Sequence, residues 1–206
     1  MSVTVIDPSG DVSNCHPANI PGMGRWEPDA QGRLQQAALA LYTERGFDQA
    51  TVAEIAERAG LTERTFFRYF ADKREVLFGG QRPLLEQLTK GVVEAPDSAR
   101  PLDAASAALQ AGMAFLDGRR ESSRLRQAVI DANPALQERE LAKRAAMAGA
   151  LVDGLLRRGV AETTARLTAE TAAAVFGLAF EQWLAADDHD LAYFLRRSID
   201  QLRTVL

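Results

Sequence analysis

An all-α fold is the expectation for this chain, and three observations carry it. Apolar residues recur at spacings of three and four from Leu34 to Leu202. Helix caps and stops stand at the ends of those runs, with Thr51, Thr62 and Asn133 before them and Gly46, Gly60 and Gly159 after. No alternation of apolar and polar residues reaches a useful strand length. The 206 residues suit one domain or two small ones, with 47% hydrophobic and 25% charged residues as in ordinary globular proteins. A net charge of −4 means that nucleic-acid binding has to come from a local basic surface. No apolar run is long enough to span a membrane, and the first residues lack the basic-then-apolar layout of a secretory signal. The single Cys15 excludes an internal disulfide framework and fits a reducing cytosol, so a cytoplasmic location is expected.

Taken in order, residues 1–26 read as a disordered arm punctuated by Pro8, Gly10, Pro17, Pro21, Gly22 and Gly24. Cys15 and His16 have no ligating partners nearby, and the other histidine, His189, is far along the chain, so no metal or cofactor is expected. Arg25 and Trp26 could belong to an arm that reaches a minor groove, but such a segment is more often a plain linker. Pro28 fits the first turn of a helix whose apolar face is Leu34, Ala37, Ala38 and Leu41, with Tyr42 beside it. Gly46 ends this helix, and Phe47 folds back on it.

The stretch TVAEIAERAGLTERTFFRYFADK, Thr51 to Lys73, reads as two short helices joined by a tight turn. Thr51 and Glu54 form a capping box, and Val52, Ile55, Ala56 and Ala59 make one apolar face. Gly60 stops the helix, Leu61 plugs the turn and Thr62 caps the second helix. There Phe66 and Phe70 share the core face. Arg64 and Arg68 point the opposite way, Thr65 and Phe67 lie on the flanks, and Tyr69 is at the edge. Arginine can contact guanine bidentately, and a threonine methyl can touch a thymine methyl, so this face suits a DNA major groove. Lys73 and Arg74 follow where they can hold phosphates. The candidate DNA contacts are Thr51, Thr62, Arg64, Thr65, Phe67, Arg68, Tyr69 and Lys73. The same features also occur in helical hairpins with a merely solvated charged face.

From about Arg33 to Phe78, including GFDQATVAEIAERAGLTERTFFRYFADKREVLF, the chain resembles the DNA-binding region of TetR/AcrR-type bacterial transcriptional regulators. The resemblance rests on the Gly-Phe after the first helix, the T-x-x-x-I-A-x-x-A-G helix and the T-F-F-R-Y-F-x-D-K run. It implies a helix-turn-helix domain over residues 27–78, followed by a helical effector-binding and dimerisation domain over residues 79–206. The remainder resembles the family in length and helical layout only.

Asp72 and Glu75 suggest a fourth helix running towards Gly79, and a fifth starts with Leu84, Leu85 and Leu88. Helix six spans Leu102–Leu116 and a short helix Ser122–Asp131. Asn133 and Pro134 then open a long helix to Arg158 with a stripe of Leu141, Ala145, Ala148, Val152 and Leu155. Thr163 or Thr164 opens the next, and Asp188 or Asp190 caps the last, for about ten helices in all. Leu191, Phe194, Leu195, Ile199 and Leu202 stripe the final helix, while Leu167, Ala174, Val175 and Leu178 stripe its predecessor. These two helices suit a four-helix dimer interface, or else burial within one subunit. A dimer reading two half-sites gives a short reading helix the contact area that specificity needs.

Met113, Phe115, Phe176, Phe180 and Trp183 can line an apolar pocket between helices, although large apolar residues at helical spacing are more often core. No Ser/His/Asp set, phosphate-binding glycine loop or metal cluster points to an enzyme. The expected function is a DNA-binding regulator that occupies a palindromic operator as a homodimer and is released by a small apolar or aromatic effector. That it represses is implied by the resemblance alone. The alternative is a helical adaptor that binds protein through the arginine face.

Overall fold

The computed structural model describes residues 29–205, so the expected arm, with Cys15, His16, Arg25 and Trp26, lies outside the described residues, as do Pro28 and Leu206. Among the described residues, nine α-helices and two short 3-10 turns make up the regular structure. The all-α expectation holds.

Helices α1 (Ala30–Arg45), α2 (Val52–Arg58) and α3 (Glu63–Tyr69) form the N-terminal unit. Asp29 starts α1 from a left-handed conformation, its carboxylate accepting from Gly32 N at 3.0 Å. The expected α1 face is buried, and Phe47 meets Tyr42 edge to face with ring centroids 5.2 Å apart. The Thr51–Glu54 capping box is present, with both reciprocal hydrogen bonds made. Gly60, at φ 66°, makes the sharp turn into α3, a conformation side chains with a Cβ rarely adopt.

The expected fourth helix is a single 3-10 turn, Glu75–Phe78. Val76, Leu77 and Phe78 are all buried, and three consecutive inward side chains suit a tight plug better than one face of an α-helix. Asp72 does act as a cap, accepting from Arg74 N and Glu75 N. The second unit comprises α4 (Gln81–Val93), α5 (Pro101–Gly112), α6 (Arg120–Asp131), α7 (Pro134–Arg157), α8 (Glu162–Ala185) and α9 (Leu191–Val205). Its core is built from α4, α5, α7, α8 and α9. Gly154 of α7 lets α4 come close, since a Cβ there would lie 2.7 Å from Val92 Cβ.

Several local expectations change. The helix predicted to Leu116 stops at Gly112, and a separate 3-10 turn covers Ala114–Leu116. Asn133 precedes Pro134 as expected, but its amide donates to Val129 O rather than capping α7. Helix α8 begins at Glu162, ahead of both threonines. On α7, Ala148 and Leu155 of the expected stripe are buried and Val152 is partly buried, but Leu141 and Ala145 are exposed, and Leu136, Met147 and Leu151 are buried in addition. A strict four–three repeat drifts by roughly 20° per heptad from a straight helix.

The N-terminal core draws on residues of the second unit. Val129 and Ile130 at the end of α6, and Leu136 at the start of α7, pack into the core of α1–α3. Arg126 of α6 donates to Leu77 O at 3.0 Å and to Glu140 at 2.8 Å, with its guanidinium 5.0 Å from the Phe78 ring centre. Arg139 of α7 pairs with Glu75.

Candidate nucleic-acid interface

Helix α3 is only seven residues long, and α1 and α2 hold it through Phe66 and Phe70, both buried. Salt bridges between Arg58 and Glu44, and between Arg45 and Glu54, brace α1 against α2. At about 100° per residue, burying Phe66 and Phe70 turns Arg64 and Arg68 to solvent. Arg64, Phe67, Arg68 and Tyr69 are all exposed, as the sequence predicts. Arg68 lies over the Tyr69 ring at 4.9 Å and donates to the Tyr69 hydroxyl at 3.1 Å. The two side chains present one combined surface, cationic at its tip and flat beneath.

The predicted threonine contacts are different in kind. Thr51 Oγ1 is engaged with Glu54, and Thr62 Oγ1 accepts from Thr65 N while sharing a hydrogen bond with Thr65 Oγ1 at 3.1 Å. These hydroxyls hold helix starts together, which limits what they can offer a base.

Lys73 is engaged within the protein. Its ammonium donates to Phe47 O, Asp48 O and Ala50 O at 2.9, 3.1 and 3.0 Å, and lies 4.6 Å from the Phe47 ring centre. An ammonium carries three N–H donors, and three carbonyls take them. Lys73 therefore ties down the loop between α1 and α2. Tyr42 locks the same corner by donating to Lys73 O at 2.6 Å, and burial, then Asp72, pushes its phenol above the usual tyrosine value. Arg74 closes on Asp72, and that hydrogen bond holds the Asp72 carboxyl below the usual carboxylate range.

The predicted effector residues lie in different surroundings. Met113 and Phe176 line a cleft of about 480 Å³, together with Gln110, Asp190, Leu195 and Arg196, where the end of α5 meets α8 and the start of α9. Phe180 stacks on Phe176 at 5.9 Å and leads to Trp183 at 5.5 Å. Trp183 is buried in the core, with Arg120 5.3 Å above its ring. Phe115 is exposed on the 3-10 turn, because the chain leaves the α-helical path at Gly112. The cleft residues from α9 were missed because nothing local in the sequence places them beside α5.

The predicted dimer stripe on α9 packs inside the protomer, the alternative that the sequence left open. Leu191, Phe194, Leu195 and Ile199 are buried within the protomer, and Leu202 packs partly buried against the same core. Leu178 remains 48% exposed, joined on α8 by Leu167 at 66%. Leu141 and Leu156 are exposed on the neighbouring α7.

Residues 34–78 match the family described as bacterial regulatory proteins of the tetR family, and residues 99–206 match the MftR C-terminal domain. The chain is 30% identical over 182 residues to a putative mycofactocin biosynthesis transcriptional regulator, MftR, of Mycobacterium tuberculosis, covering 86% of this chain and 91% of that protein. Among solved structures, FadR of Thermus thermophilus, a TetR-family repressor in complex with lauroyl-CoA, aligns with TM-score 0.51 and 26% identity over 84% of this chain and 92% of that one. SmeT in complex with triclosan aligns with TM-score 0.58 and 18% identity over 84% and 90%, a likeness of fold.

Proposed function

The chain belongs to the TetR family of DNA-binding transcriptional regulators, with a C-terminal half of the MftR type, and we propose that it is a dimeric repressor released from its operator by a small apolar effector. The family is one of regulators rather than enzymes. The observation that carries the reading is the coupling of α3 to the second unit. The N-terminal core is completed by Val129, Ile130 and Leu136, so a change in α6 or α7 acts directly on the unit that holds α3. The Met113–Phe176 cleft is the proposed effector site. It lies against α8 and α9, and Arg124 of α6 donates to Leu184 O and Ala186 O at the end of α8. An apolar effector suits the cleft's floor, and FadR, at 26% identity, was solved with a lauroyl thioester.

Homodimerisation is proposed through the exposed apolar residues of α8, Leu167 and Leu178, bordered by Leu141 and Leu156 of α7. Two copies would present two α3 helices to two half-sites, consistent with a palindromic operator. Such a regulator works where the DNA is, in the cytoplasm.

The test is selection of bound sequences from a random duplex pool, followed by band-shift titration with candidate effectors. A palindromic consensus released by an apolar ligand is the expected outcome. A consensus that no ligand displaces would leave a DNA-binding protein without the proposed switch. Within that assay, Arg64→Ala should weaken operator binding by about 1–3 kcal/mol and relax specificity at one position of each half-site.

A further inference from the structure

In the N-terminal unit, among the described residues, two large hydrophobic side chains are exposed, Phe67 at 55% and Tyr69 at 40%. Both are on α3. Tyr69 is accounted for, since its hydroxyl and its ring face are both engaged by Arg68. Phe67 is not. Its ring touches Phe66 edge-on, with centroids 5.4 Å apart, and the rest of it stands in solvent. A phenyl ring has no donor or acceptor, so it can serve neither a phosphate nor the polar edge of a base. Helical geometry sets Phe67 about 60° from Arg64, three residues before it, on the outward side of α3. Arg64 is itself exposed and makes no hydrogen bond or ion pair among the described residues.

The apolar feature that a major groove offers is the C5-methyl of thymine. We propose that Phe67 is a specificity-determining residue that reads a thymine methyl in each operator half-site, next to the base read by Arg64. This rests on the family's DNA binding and on α3 entering the groove. The neighbouring hydroxyls strengthen the assignment: Thr62 and Thr65 are engaged with each other, which leaves Phe67 as the largest uncommitted apolar surface on the helix. Burying one methyl is worth roughly a fourfold change in affinity per half-site, or about fifteenfold when both symmetric positions change.

The experiment uses the full chain and the operator duplex selected from a random pool. Each thymine is replaced in turn by deoxyuridine, which removes the methyl and leaves pairing and every hydrogen-bonding edge intact. For the unsubstituted protein, one symmetric thymine pair should show the fourfold to fifteenfold loss. Phe67→Ala should bind the thymine and deoxyuridine duplexes equally, whereas Phe67→Leu should keep part of the discrimination. Phe67 is half exposed, so unchanged melting temperatures are expected and separate lost reading from lost folding. A flat scan for the unsubstituted protein overturns the proposal. So does a sensitive thymine that stays equally sensitive in Phe67→Ala, which would assign the methyl to another side chain. If no sequence is enriched at all, the regulator reading itself fails, an outcome distinct from both.

Discussion

Two lysines show how a residue's place in the fold decides what its charge does. Lys73 sits in a basic run after the reading helix, and by position alone it belongs to phosphate. Its acceptors, Phe47 O, Asp48 O and Ala50 O, lie 23 to 26 residues earlier, and no local pattern announces them. Lys73→Ala should therefore destabilise the fold by roughly 1.5–3 kcal/mol, the range for hydrogen bonds to a charged group. The salt slope of DNA binding should be unchanged. A lower slope with unchanged urea unfolding would return Lys73 to the interface. Lys143 is different in sign. Burial first, and then the Arg126 guanidinium, push its ammonium down to about 8, with Glu140 opposing. The unfolded chain then binds more protons than the folded one between about pH 8 and the ordinary lysine value, so stability should rise with pH across that window. Lys143→Met should remove this rise and raise the unfolding midpoint at neutral pH, as urea titrations at two pH values would show. By contrast, the caps at Thr51 and Thr62 were legible in the sequence, because donor and acceptor are three residues apart.

At the scale of elements, periodicity shows that a face is apolar but not what covers it. The α9 stripe was legible residue by residue, yet α5 and α8 of the same protomer cover it. Phe194→Asp should accordingly unfold the second unit, since it buries an unpaired charge in a core, instead of yielding folded monomers. Leu178→Glu makes the opposite test. Its side chain is half exposed, so a protomer tolerates the charge, and only an interface through α8 would object. Sedimentation should show folded monomers with helical circular dichroism intact. A dimer of ordinary size would place the interface elsewhere. Helix ends were the least legible feature for the same reason. At Gly112, where α5 ends, the chain passes close to α4, and a Cβ there would lie 2.9 Å from Leu88 Cδ2. That contact is tertiary, and no local pattern in the sequence announces it.

At the scale of the molecule, α6 is the member that touches both ends. Arg126 grips the 3-10 turn below α3's bundle, while Arg124 and Arg120 hold the end of α8 and the loop that leads to α9. Asp190, which lines the cleft, closes that loop by accepting from Tyr193 N at 2.7 Å. An effector in the cleft can shift the equilibrium only if it binds the DNA-free arrangement more tightly than the DNA-bound one. Linkage then requires operator DNA to weaken effector binding by the same factor that effector weakens operator binding. Calorimetric titration of effector into free protein and into the protein–operator complex measures one side, and band shifts at saturating effector measure the other. The two factors should agree. Phe176→Ala should weaken the effector in both titrations and leave operator affinity of the ligand-free protein nearly unchanged, because Phe176 is remote from the N-terminal core. Trp183→Ala should behave otherwise, losing about 3–5 kcal/mol of stability as a core truncation and so weakening every function together. If effector affinity is the same with and without operator, the ligand binds but does not switch, and the path through α6 carries no signal.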